Sequence, residues 1–297
     1  MDRKNFISLL PSIPFAIKDM TVPSIAQLLN KPNQSKPMPA LFVGHGSPMN
    51  AIENNVFSQY WKSLGQSLPT PTAIVCISAH WETRGTQITA MSAPQTIHDF
   101  GGFPDELFAQ QYPAPGAPEW VAQTAAQLVQ PHTGQPVGID LNEWGLDHGC
   151  WGILKPMFPE ADIPVVQLSI DYHRPPAEHF AMGQQLKHLR QEGVLIVASG
   201  NTVHNLRTMQ RSAADNQAYE WAIAFDGWVA EQIKQGHNEA LVDFQKLGAV
   251  AQMAHPSYDH YLPLLYAAGA ADADDTVAFF NEGHQLASIA MRSVIWS

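Results

Sequence analysis

Three histidines of this 297-residue chain each follow a short hydrophobic run. Leu41-Phe42-Val43-Gly44 leads into His45, Ala73-Ile74-Val75-Cys76-Ile77-Ser78-Ala79 into His80, and Val194-Leu195-Ile196-Val197-Ala198-Ser199-Gly200, through Asn201-Thr202-Val203, into His204. Imidazole is the commonest protein metal ligand and also the side chain best suited to moving protons near neutrality. Three of them in equivalent places point to a mononuclear metal centre. The plainer reading is three unrelated strand caps, which serves for one such histidine better than for all three.

Other segments carry chemistry of their own. Trp144-Gly145-Leu146-Asp147-His148-Gly149-Cys150-Trp151-Gly152 reads as a glycine-flexed loop presenting a carboxylate and an imidazole between two indoles. An Asp beside a His fixes its tautomer, as a general acid or base requires. Thr96-Ile97-His98-Asp99-Phe100-Gly101-Gly102-Phe103-Pro104 reads as a turn or a hinged aromatic lid. Ala254-His255-Pro256-Ser257-Tyr258-Asp259-His260 leads into an apolar stretch, with His260 at its mouth. Ser47 reads as a helix cap rather than a nucleophile, because the strand-to-helix elbow pattern is missing. Neither GxGxxG nor GxxxxGK[ST] occurs. His132, His173, His179, His188, His237 and His284 stand in polar or helical-surface contexts and read as solvated.

The elements that must position these groups follow from periodicity. Short, unalternating, β-branched runs bounded by Gly, Pro or Ser are strands covered on both faces, as in a parallel sheet. Pro164 to Ile170 is a further strand, and Thr276 to Phe280 and Ile289 to Trp296 are two more. Ser47 caps a helix that starts at Pro48 and continues through Ile52, Val56, Tyr60 and Trp61. Glu119 to Val129, Ala177 to Arg190 and Tyr219 to Lys234 read as helices, the last with its apolar face on Trp221, Ile223, Phe225, Trp228 and Ile233. The fold class is α/β, a single domain whose central, mostly parallel or mixed sheet is flanked by helices. In such sheets ligands sit outside the carboxyl ends of the strands, so the histidines arrive at one edge.

A formal net charge of −11 argues against nucleic acid or an anionic membrane as partner. No apolar run is long enough to span a bilayer. Two cysteines make no disulfide framework: Cys76 lies in a buried strand, Cys150 in a turn that leaves it partly exposed, and a reducing, cytoplasmic setting follows. Residues 1–37 read as an N-terminal extension and linker, with residues 38–297 as the catalytic domain. Arg3-Lys4-Asn5-Phe6-Ile7 faintly resembles a twin-arginine leader, but Pro11 and Pro14 break the apolar stretch after it, and export is the lesser reading.

Pro39 to Asn50, Ser78-Ala79-His80-Trp81, His98 to Pro104, Trp144 to Trp151, Gly200 to Arg207 and His260 to Tyr266 together resemble, in order, the class III extradiol ring-cleavage dioxygenases of the 4,5-DOPA dioxygenase type. The resemblance covers essentially everything after the linker. It implies that His45, His80 and His260 hold the metal, that His204 is a fourth ligand or the acid/base group, and that His148 is a second imidazole facing substrate. Trp144, Trp151 and Asp99 are the expected substrate contacts. Pro256-Ser257-Tyr258-Asp259 departs from the family's usual Asn-Pro-Thr-Pro-type run.

Ring cleavage beside catechol hydroxyls needs a metal with open positions for the diol and dioxygen, commonly two histidines and a carboxylate on Fe²⁺. Here the third ligand is implied to be His260, unless Asp259 turns inward. Three neutral imidazoles leave the dipositive charge uncompensated, which favours a catecholate and also suits Zn²⁺. One divalent metal per chain is expected, with Zn²⁺ a frequent occupant and Fe²⁺ the ion that supports turnover. His204 would take a proton from the catechol and His148 would serve a second proton transfer. The partners are then a small catechol and dioxygen. The runner-up is a zinc hydrolase of an amide or ester using the same histidines. A metal-scavenging protein is the third reading, and the indole-lined loop speaks against it.

Overall fold

In a computed structural model, residues 36–214 and 216–297 are described. The leader-like stretch and most of the linker lie outside them. The strands are β1 (Ala40–Gly44), β2 (Ala73–Ser78), β3 (Gln87–Thr89), β4 (Gly138–Asp140), β5 (Val165–Gln167), β6 (Val194–Gly200), β7 (Val277–Phe280), β8 (His284–Gln285), β9 (Ile289–Ala290) and β10 (Ser293–Trp296). The helices are α1 (Val56–Ser67), α2 (Asp105–Phe108), α3 (Pro118–Thr124), α4 (His148–Met157), α5 (Pro176–Gln191), α6 (Glu220–Lys234), α7 (Ala249–Ala254) and α8 (Leu262–Ala270).

Six strands form the central sheet in the order β5-β2-β6-β1-β10-β7. β5, β2, β6 and β1 run parallel, and β10 is antiparallel to both of its neighbours. The strands lack polar alternation because both faces are covered. Phe42, Val75, Ile77, Ile196 and Ala198 pack on one side with Leu186 of α5, Phe225 of α6 and Leu264 of α8. Leu41, Val43, Ile74, Cys76, Leu195 and Val197 pack on the other with Trp61 and Leu64 of α1 and Trp151 and Leu154 of α4. This is the helix–sheet–helix layering expected of the α/β class.

At one edge, β1, β6 and β2 end side by side at Gly44, Gly200 and Ser78. Gly200 is required there: a Cβ would stand 2.2 Å from the His260 carbonyl oxygen, which accepts the Asn201 N–H at 2.8 Å. The segment that carries His260 therefore lies directly on the end of β6.

Several local expectations are corrected. Trp144 to Gly152 is not all loop, because α4 begins at His148. The buried Asp147 caps it by accepting from the Cys150 N–H, and that bond, with burial of Trp151 and Leu154 against the sheet, offsets the glycines' poor helix propensity. Cys150, placed inside that helix, is fully buried rather than partly exposed. The stretch after Ser47 is two pieces, a 3₁₀ turn over Pro48–Ala51 and then α1, because Asn55 starts a new helix with a capping box through Ser58. α3 stops at Thr124 and does not reach Val129. On α6 the buried stripe is Ala222, Phe225, Asp226, Val229, Ala230 and Ile233, and Ile223 is about half exposed. The aromatics on the flanks misdirected the assignment of that face. The tail strand is interrupted between Ala290 and Ser293. His179, read as solvated, is buried between α5 and α8 against Tyr266. Among the described residues no helix is long and apolar enough to cross a membrane.

Candidate active site

Five imidazoles meet at the carboxyl edge of the sheet. His45 follows β1, its N–H donating to the Gly200 carbonyl at 3.0 Å, and His80 stands two residues beyond β2. Their Nε2 atoms are 3.3 Å apart. His260 precedes α8, with its ring centroid 5.1 Å from that of His45 and 5.0 Å from that of His80. His148, the first residue of α4, packs its ring 3.9 Å from that of His80. His204, beyond β6, lies parallel on the His260 ring at 3.5 Å.

Three of the rings are held from behind. His45 Nδ1 meets Ser199 Oγ at 3.0 Å, and His260 Nδ1 meets Asp259 Oδ2 at 2.5 Å. His148 Nδ1 meets Asp99 Oδ2 at 3.0 Å. A carboxylate facing Nδ1 keeps the proton there and leaves Nε2 as a lone-pair donor. Ligand atoms of His45, His80 and His260 all lie within 4.8 Å of one another. Largely buried, nitrogen-only and convergent, this donor set fits a single Zn²⁺ or Fe²⁺ ion.

The electrostatics favour neutral rings. Burial, followed by the charges of the neighbouring imidazoles, drives His45 and His260 well below the usual histidine range. His80 falls to about 4 through burial and then His148, partly offset by Asp147, Asp99 and Asp259. His204 also falls to about 4, chiefly by burial. Neutral imidazole is the form that binds metal.

The expected substrate contacts fare differently. Trp144 is half-buried, stacks on Trp81 at 5.9 Å, and donates its indole N–H to Asp147 Oδ2 at 3.2 Å. Trp151 has no exposed surface with which to touch a ligand. It is a core side chain whose N–H donates to the Ile97 carbonyl at 2.8 Å. Asp99 pairs with His148 through both carboxylate oxygens. Asp147 does not orient His148. Its carboxylate takes Ser78 Oγ at 2.6 Å and Gln167 Nε2 at 2.7 Å, closing the joint between α4 and the sheet.

Sequence reasoning missed Ser199 and the pairing of Asp99 with His148. Ser199 left a trace as a lone hydroxyl at the end of an apolar strand. Phe100 was noted only as part of an aromatic turn, yet its ring stands edge-on to His148 at 5.4 Å, beside Phe103 and Phe108.

A mixed α/β sheet that gathers imidazoles at its carboxyl edge defines a metalloenzyme-like architecture with a His-rich potential metal site. The chain belongs to the family described as the catalytic LigB subunit of aromatic ring-opening dioxygenase, whose model matches residues 38–293. It is 49% identical to a 4,5-DOPA dioxygenase extradiol of Escherichia coli strain K12, over 86% of this chain and 94% of that protein. It is 38% identical to a 4,5-DOPA dioxygenase extradiol of Beta vulgaris, over 77% of this chain and 85% of that one. Among solved structures, an uncharacterized protein from Escherichia coli K12 superposes with a TM-score of 0.75 at 42% identity, covering 88% of this chain and 100% of that one. Family membership sets aside the hydrolase and scavenger readings.

Proposed function

We propose that residues 38–297 form one catalytic domain that opens the ring of a catechol of the L-DOPA type, with one divalent metal held by His45, His80 and His260. The observation that carries this reading is the convergence of the three rings, with the Nε2 atoms of His45 and His80 3.3 Å apart. Two neutral imidazole nitrogens repel at that distance unless a cation or a proton lies between them. When bound, Fe²⁺ supplies a redox-active Lewis acid that brings the diol and dioxygen together, whereas Zn²⁺ fills the same ligands without redox chemistry.

The chain's own groups divide the remaining work. His204 lies against His260 outside the group of His45, His80 and His260, though it forms a second cluster with Asp259 and His260, and burial keeps its ring neutral. That suits it to accept a proton from a catechol hydroxyl rather than to act as a fourth ligand. His148, fixed through Nδ1, offers Nε2 for a second proton transfer on the other flank of the site. Phe100 supplies an apolar edge for an aromatic substrate. The two free, buried cysteines accord with a reducing cytoplasm, and the acidic net charge with small-molecule partners rather than nucleic acid.

The test is oxygen uptake by Fe²⁺-loaded protein given L-DOPA or a simple catechol in air. Stoichiometric consumption with a yellow ring-opened semialdehyde is expected. Hydrolysis of an ester or amide, with a catechol panel left intact, would return the site to the zinc hydrolase reading.

A further inference from the structure

Asp99 sits between two imidazoles with different tasks. Its Oδ1 accepts the backbone N–H of His148 at 2.9 Å, and its Oδ2 faces the Nδ1 of His148 at 3.0 Å and that of His80 at 3.3 Å. The side chain is largely buried. It is delivered rigidly. The Ile97 N–H donates to the Leu146 carbonyl at 2.7 Å, the Ile97 carbonyl accepts the Trp151 indole N–H, and Thr96 Oγ1 accepts the Tyr112 N–H at 2.9 Å. The backbone bond to His148 also fixes which oxygen faces the rings.

We propose that Asp99 is a positioning residue, one carboxylate that sets the Nδ1–H tautomer of His148 and steadies His80 in the same orientation, so that both present a bare Nε2 to the site. This rests on the proposed roles of His80 as ligand and His148 as proton-transfer group. The His148 contact is an aligned hydrogen bond, whereas the His80 contact is a charge at short range, so His148 depends on Asp99 more strongly.

The geometry makes an unusual demand of the isosteric variant. In Asp99→Asn the single amide oxygen must still take the His148 backbone N–H, because that group can only donate. The amide NH₂ is then turned toward the ring nitrogens. It donates to Nδ1 of His148, whose ring proton moves to Nε2 and blocks proton acceptance there. At His80 the positive end of the amide dipole replaces a negative charge near the Nδ1–H and disfavours the tautomer in which His80 ligates. Asp99→Ala only removes the restraint. The isostere therefore does more harm than the truncation, the reverse of what a space-filling or packing role gives.

The experiment uses the full chain in three forms: wild type, Asp99→Asn and Asp99→Ala. Imidazole ¹⁵N spectra of the metal-free proteins report the tautomers directly. Wild type should show Nδ1–H on His148, and Asp99→Asn should show Nε2–H. Zinc affinity, measured by chelator competition, should fall about 10- to 100-fold in Asp99→Asn, the range typical of losing a carboxylate behind a ligating histidine, and less in Asp99→Ala. Formate, which fits the space left by Ala, should restore turnover and zinc affinity to Asp99→Ala and leave Asp99→Asn unchanged. An Nε2–H tautomer of His148 in wild type overturns the proposal without any variant. So does an Asn variant that matches or exceeds Ala in zinc affinity and turnover. If wild type neither bound metal nor opened catechols, the proposed function would fail, while the tautomers would still decide the role of Asp99.

Discussion

His45 and His80 make the sharpest demand at the level of single residues. His45 is buried and His80 largely so, both are held neutral, and their Nε2 atoms converge. Replacing either with Ala should lower bound metal from about one per chain to near zero by elemental analysis, while the exposed His173→Ala should retain it. Full retention in both site variants would move the ligands elsewhere. His148 should behave in the opposite way. His148→Ala is expected to keep metal and to bind catechol, but to lose turnover by roughly 10²- to 10⁴-fold, the usual weight of a general acid or base. Wild-type kcat in that variant would reduce the imidazole to a wall of the pocket. His204→Ala should likewise keep its metal, because His45, His80 and His260 converge without it; loss of metal would instead favour the neighbouring cluster of His204, Asp259 and His260 as the ligand set.

Among the secondary-structure elements, the strand ends govern the site. Gly200 closes β6 with no room for a methyl group beside the His260 carbonyl. Gly200→Ala should push that backbone away, costing about 1–3 kcal/mol of stability as overpacking does and loosening the metal. A chemical melt together with a zinc titration would detect both losses, and an unchanged zinc affinity would show that His260 is positioned by something other than β6. The strands and their common edge were legible because an apolar run ending in Gly, Ser and His carries its own information. His45 and His80 came directly from that pattern, whereas His260 needed a family resemblance, since its segment reaches the edge only through tertiary contact. α4 was not legible. Gly149, Gly152 and Pro156 all disfavour a helix, and only burial of Trp151 and Leu154 together with the Asp147 cap makes one. The pairing of Asp99 with His148 spans 49 residues of chain, and no local spacing rule reaches that far. The neighbouring Asp147 was the natural but mistaken partner.

For the molecule as a whole, the same burial that keeps imidazoles neutral has a consequence for stability against acid. His179 shows it away from the active site. It lies between α5 and α8, with Nδ1 3.1 Å from the Tyr266 hydroxyl and Nε2 3.3 Å from the Arg174 carbonyl. Burial lowers its pKa from 6.5 to about 4, partly offset by the Arg174 hydrogen bond and by Asp171. Above pH 6.5 the ring is neutral in both the folded and the unfolded chain and contributes no pH dependence. Between about 6.5 and 4 the unfolded chain takes up a proton that the folded chain refuses, so stability falls as pH falls; below about 4 the loss levels off. From pH 7 to pH 5 this single group should remove about 2 kcal/mol. His179→Gln preserves a polar side chain without the titration, so it should lose correspondingly less over the same interval, even if it starts from a lower stability at pH 7. Urea unfolding of both proteins at pH 7 and pH 5 measures the difference. Equal losses would mean that the α5–α8 interface admits the charged ring at little cost and that the acid sensitivity of the fold arises elsewhere.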